Sequence, residues 1–241
     1  MMRDHLDGTL SEATARVNGD WNGDVMAFDE VEKQTLSLAD ALTAGIVLQF
    51  PELVRADAGA DVRASALHVG MRALWEAHVV WTRMFLMSDI AGLPDTPRAT
   101  ERLLQNQSDI GDAIAPFYGV GAAHALTALL DAHITGAAEV VAAAKVGDAE
   151  RLATAEAAWY ANADEIAAFL ASANPDLSEQ ALRAMMHTHL DQTIAEITDR
   201  LQEDWTSDIA DYDAIEDHVL HLADALSDAL AARFPSNLPS D

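Results

Sequence analysis

Cysteine is absent from the 241 residues, which excludes disulfides, thiolate metal sites and cysteine nucleophiles. Lysine is almost absent too. Lys33 and Lys145 are the two examples, and 14 basic residues face 40 acidic ones for a formal charge of −26. A surface of that sign repels phosphate backbones and anionic lipid, which argues against nucleic acid and membrane partners. Aspartate in excess of glutamate with scarce lysine matches proteins of salt-loving microbes, where high salt screens the self-repulsion. An ordinary acidic cytosolic protein is the alternative.

Other absences narrow the chemistry. The sequence has no Gly-rich phosphate loop, no Gly-x-Ser-x-Gly elbow and no Glu-x-x-His, the signature of di-iron carboxylate bundles. No uncharged apolar run reaches the ~18 residues of a membrane span. The most apolar stretch, Ala66 to Met87, holds Arg72, Glu76 and Arg83. The opening Met1-Met2-Arg3-Asp4-His5 brings in acid at once and has no apolar run, so no secretory signal is expected. The expected location is the cytoplasm, as a soluble protein.

Helical periodicity dominates, Ala and Leu are abundant, and β-branched alternation is missing, so the chain reads as all-α. With 50% hydrophobic residues it has ample material for a packed core. Turn signals divide it into about eight helices in four antiparallel hairpins. Residues 1–51 form the first, turning at Asn18 to Gly23 and ending at Phe50-Pro51. Residues 52–65 are small, charged and aperiodic, a linker and a plausible domain boundary. A main bundle spans 66–235. Its turns fall at Ala91 to Asp95, with Thr96 as N-cap and Pro97 opening the helix, at Gly119 and Gly121, at Val146-Gly147-Asp148, and at Asn174-Pro175 before Ser178. Residues 236–241 read as a frayed tail.

An internal repeat organises this layout. Shifting the sequence by 184 positions lays Met1–Pro51 on Met185–Pro235 without a gap, with 22 of 51 residues identical. Chance at this composition gives about four. The copy also places the last hairpin's turn near Gln202 to Ser207, where local chemistry is silent.

Each hairpin carries a histidine at a similar place in its first helix: His5, His78, His133 and His189. Their helix faces are apolar, so the rings should point inward. Three of them are followed four residues later by threonine (Thr9, Thr82, Thr193), a candidate for fixing ring orientation. Residues equally far from an antiparallel turn lie at equal height. That rule puts Asp109 opposite His78, Asp164 opposite His133, and His218 and His221 opposite His189. A weak self-match at 55 residues pairs Leu74, His78 and Asp109 with Leu129, His133 and Asp164. Imidazoles and carboxylates converging inside a bundle suit Zn, Mn, Fe or Cu. The candidate metal ligands are therefore His78, Asp109, His133, Asp164, His189, His218 and His221. Hydrogen-bonded core histidines without metal account for the same pattern. Hairpin one retains His5 but has Gln34 and Ser37 where hairpin four has His218 and His221.

Trp75, Trp81, Trp159 and Trp205 read as core, and Arg83 as an ion-pair partner or a binder of an anionic ligand.

Three motifs resemble those of an uncharacterised family of small all-helical prokaryotic proteins. They are Leu74-Trp75-Glu76-Ala77-His78-Val79-Val80-Trp81-Thr82-Arg83, Trp159-Tyr160-Ala161-Asn162-Ala163-Asp164-Glu165-Ile166 and His189-Leu190-Asp191-Gln192-Thr193. The resemblance covers about residues 66–235. It implies a helical fold and no reaction. A more distant similarity is to DinB-like metal bundles, whose His-x-x-x-His spacing is missing here.

The leading expectation is a soluble metal-binding bundle. The alternatives are an assembly protein that swaps hairpin one into a neighbouring subunit, closed or as a growing chain, and a binder of a small apolar or anionic ligand near Trp81 and Arg83.

Overall fold

The computed structural model describes residues 2–51 and 62–238. Among them all regular structure is helical, in eight helices: α1 (Met2–Val17), α2 (Trp21–Gln49), α3 (Val62–Ala91), α4 (Thr96–Tyr118), α5 (Val120–Val146), α6 (Ala149–Ala173), α7 (Glu179–Leu201) and α8 (Trp205–Arg233). Of the expected linker, 52–61 lie outside the described residues, and 62–65 belong to α3. Val62-Arg63-Ala64-Ser65 contains no Gly or Pro to stop the helix from extending through it. The N-cap expected at Thr96 moves to Asp95, whose carbonyl accepts from the amides of Arg98 and Ala99.

Contacts divide the chain into two units, residues 1–60 with 94–99 and residues 61–93 with 100–241. In the first, α1 and α2 pair across a turn in which Gly19 takes φ +71° and the Asp20 side chain caps α2 at Gly23 N. Arg16 donates to Asp24 at 2.7 Å and to Asp95 at 2.8 Å. Val25 is the one apolar side chain buried in these two helices.

The second unit is a ring of six helices. Neighbours in sequence lie side by side from α5 through α6 and α7 to α8, and α8 closes the ring against α3. On the other side, Asn106 of α4 reaches the Leu74 carbonyl of α3, and Gly111 of α4 lies against Ala123 and Thr127 of α5. The alternate helices α3, α5 and α7 also touch one another, so they form the inner layer. Apolar residues at helical spacing supply it: Met71, Trp75, Trp81 and Phe85 from α3, Leu126, Leu130 and Val141 from α5, Met186, Leu190 and Ile197 from α7. Helix α5 alone among the described residues has the length and apolarity of a membrane span. Its buried side here packs in the ring. Trp205, expected in the core, is half exposed beneath Arg200, because it opens α8 beside a turn.

Of the expected tail, 239–241 lie outside the described residues, and 236–238 are held further than composition suggests. Asn237 donates to the Pro116 carbonyl at 2.8 Å, Leu238 is buried, and Phe234 packs on Phe117 and Tyr118.

Arg83 of α3 ties the ring together at one end. It donates to Glu196 of α7 at 2.5 Å and to both carboxylate oxygens of Asp208 of α8, which Arg200 also binds. Burial raises the Glu196 carboxyl above its ordinary range, opposed by Arg83. With its charge consumed in this network, Arg83 is a structural ion pair and not an anion site. Removing one partner of a buried pair strands the other. Arg83→Ala should therefore cost about 3–5 kcal/mol in urea unfolding. Adding Glu196→Gln should recover part of that loss.

Candidate functional site

The inner layer brings together three of the sequence-selected residues. His78 (α3), His133 (α5) and His189 (α7) are each buried, with exposures of 3%, 3% and 7%. The His189 ring centre lies 5.9 Å from that of His78 and 5.9 Å from that of His133, with interplanar angles of 54° and 24°. Trp75 stands edge-on to His78 at 5.8 Å, and Trp159 flanks His133 at 5.2 Å. Gly136 makes room for that tryptophan: a Cβ there would lie 2.8 Å from the indole.

The partners of the rings are amides, not the expected carboxylates. Gln107 Nε2 approaches His78 Nδ1 at 3.3 Å, and Asn162 Oδ1 lies 3.0 Å from His133 Nδ1. Each amide is two residues short of the aspartate expected there. Equal height along an axis does not mean the same face: two residues shift the height by only about 3 Å but rotate the side chain by about 200°. Asp109 is half-buried and accepts from Gln105 on its own helix. Asp164 turns outward to His187 Nε2 at 2.8 Å and Arg183 Nε at 3.2 Å.

His218 also departs from expectation. Its Nε2 lies 2.8 Å from the Met185 carbonyl, and His221 is exposed beside Asp217. Thr193 does not hold the His189 ring: its hydroxyl donates to the His189 backbone carbonyl at 2.9 Å, as Thr9 does to His5. A β-hydroxyl in mid-helix reaches the carbonyl four residues back more readily than a side chain there.

Three interhelical clamps share a pattern the sequence reading missed. Asn106 Nδ2 donates to Leu74 O at 3.0 Å, Asn162 Nδ2 to Leu129 O at 3.1 Å, and His218 Nε2 meets Met185 O at 2.8 Å. Every one of these carbonyls lies four residues before an inward histidine. In α6 the single residue Asn162 holds both carbonyl and ring, whereas in α4 the tasks are split between Asn106 and Gln107. The 55-residue self-match aligns Gln107 with Asn162, and that shared amide was the available signal.

These contacts set the tautomers. The Asn162 amide is oriented by its bond to Leu129 O, so its oxygen accepts from His133 Nδ1–H and leaves Nε2 with a lone pair. Gln107 Nε2 shares its two protons among Leu103 O at 2.8 Å, Asn106 Oδ1 at 3.2 Å and His78 Nδ1, and these two oxygens hold the nitrogen toward the ring, so His78 Nδ1 keeps its lone pair and the ring proton sits on Nε2. His189 Nδ1 and Gln107 Oε1 are buried with no hydrogen-bond partner. Burial dominates the electrostatics. It lowers His78 to about 3, assisted by His133, lowers His133 to about 4 against Asn162, and takes His189 well below the ordinary range, assisted by the other rings. All three imidazoles are neutral at physiological pH. No three His, Asp or Glu side chains among the described residues are aimed at one point as a metal ion requires.

A narrow apolar cavity continues below this layer, lined by Met71, Trp75, Ile110, Leu130, Met186 and Leu226 among others, with no charged residue. Comparison with family models, curated proteins and solved structures found no significant match.

Because the folded pKa values are depressed, the unfolded chain binds more protons below the ordinary histidine value of 6.5. Stability should therefore be fully present above pH 6.5 and fall as pH drops toward 4. Each histidine contributes at most about 1.4 kcal/mol per pH unit in that window. Urea midpoints at pH 7.5 and 5.5 check this, and replacing His189 by Phe should flatten the slope.

Proposed function

We propose that His78, His133 and His189 bind one divalent transition-metal ion in the inner layer of the helical ring. The observation that carries this reading is the placing of His189 ring to ring with both His78 and His133, three buried, neutral imidazoles from three different helices, one with an unpartnered ring nitrogen. Neutral imidazole is the state a metal takes, so binding would require no deprotonation of a cation. Rings sharing an ion at about 2.0–2.1 Å per bond have centres roughly 5–6 Å apart, close to the His78–His189 and His133–His189 separations.

The rings would have to turn toward a common point, and the terminal torsion of histidine is broad. His133 Nε2 already has a free lone pair. His78 would lose its Nε2 proton to ligation by taking the other tautomer, with Gln107 Oε1, now unpartnered, turning over to accept from Nδ1–H. Nitrogen ligands without carboxylate favour zinc, copper and iron over manganese. Three protein ligands leave a fourth position for water, as catalytic zinc sites do. No reaction is assigned to it.

A second reading is favoured by the three carbonyl clamps. On that reading the histidines and amides form a polar layer that fixes the register of the hairpins and holds no ion.

Protein purified in high salt without a histidine tag, then dialysed against Zn, Cu, Fe and Mn in turn, should hold one ion per chain by elemental analysis. His133→Phe or His189→Phe should abolish it. Metal at one hundred times its dissociation constant should add about 2.7 kcal/mol to stability. Failure of all four metals to bind would leave the polar-layer reading.

A further inference from the structure

Hairpins one and four carry one sequence face in two opposite environments. Their elements coincide at the offset of 184: Trp21–Gln49 on Trp205–Arg233, with Asp20 and Asp204 capping alike and Phe50 and Phe234 closing in similar conformations. Arg16–Asp24 at 2.7 Å repeats Arg200–Asp208 at 3.0 Å across the two turns. The exposures, however, are inverted. Met186, Leu190, Leu226 and Leu230 are exposed by 3%, 0%, 6% and 3%, and their counterparts Met2, Leu6, Leu42 and Ile46 by 61%, 63%, 59% and 54%. The first three of these pairs are chemically identical.

In hairpin four this face packs on α3 and α6. Within the second unit the ring closes with α8 against α3. With one buried apolar side chain in α1 and α2, hairpin one lacks a core of its own.

We propose that the α1–α2 face pairs with the same face of a second copy of this chain, giving a closed dimer joined by a four-helix bundle. Self-pairing explains the uncovered face at no expense to the ring. An exchange of hairpin one for hairpin four in a neighbour would bury one apolar face only by baring its equivalent, with no net gain. The dimensions suit the role. Helices of these lengths present roughly 650 Å² of flat face, near the ~800 Å² per partner of a stable interface. A twofold contact needs one self-complementary patch, which a hairpin supplies. The hairpin is acidic, so the pairing should tighten as salt screens the repulsion.

The test is light scattering coupled to size exclusion on the full chain in molar salt, with a Leu6→Glu, Leu42→Glu variant. Both positions are exposed, so the variant should keep the parent's helical circular dichroism, and Val146→Glu on the second unit serves as a control. A parent dimer that the double variant weakens by about 100-fold or more, with the control unchanged, is the expected result. A monomeric parent at ~100 μM would overturn the proposal, as would a dimer that survives the double substitution. So would open assemblies growing with concentration, which would mean exchange of hairpin four.

Discussion

Burying three imidazoles in one apolar layer is feasible only if all three are uncharged, and much of the second unit satisfies that condition. A protonated ring there would face a neighbouring imidazole and aromatic surfaces, with no carboxylate among the described residues hydrogen-bonded to any of the three. Burial accordingly drives each proton affinity down. The partners that fit are neutral amides. Gln107 and Asn162 satisfy ring nitrogens without contributing charge, and Asn106 and Asn162 tie the neighbouring backbone.

Charge is instead moved to the end of the bundle and to its outside. Arg83, Glu196, Asp208 and Arg200 form a compact network linking α3, α7 and α8. Arg72 grips Asp224 with two hydrogen bonds at 2.7 and 2.6 Å, joining α3 to α8 on the surface. His187, Tyr160, Asp164 and Asp191 make a polar seam along α6 and α7. The level of the three histidines stays free of ions, and most of the 40 acidic residues remain with solvent. On the proposed reading, a site made of neutral nitrogen donors suits a borderline-soft metal ion and suits an anionic ligand poorly.

Much of this was legible in the sequence because it depends on local rules. Gly147 and Asp148 stop one helix and cap the next, Ser178 caps α7, and the offset repeat located the α7–α8 turn where composition gave little sign. Of the four histidines expected inward, His78, His133 and His189 followed from apolar periodicity, whereas His5 is half-buried in α1, a helix with no buried side chain. Their partners did not, because height from a turn leaves the helical phase free, and a two-residue error exchanges an inward amide for an outward aspartate. His221 lies outside for the same reason, being three residues from His218 and displaced around the helix. The exposure of hairpin one was also hidden. A repeated sequence predicts a repeated surface, but whether another element covers it is decided by tertiary packing.

Nitrogen NMR of the histidine rings tests the central claim most directly, since it reports protonation and tautomer residue by residue. The account predicts that His133 carries its proton on Nδ1 and His78 on Nε2, that neither they nor His189 titrate between pH 7.5 and 5.5, and that all three signals move together on adding zinc. A ring among the three that gains a proton near the ordinary histidine value of 6.5 would contradict it.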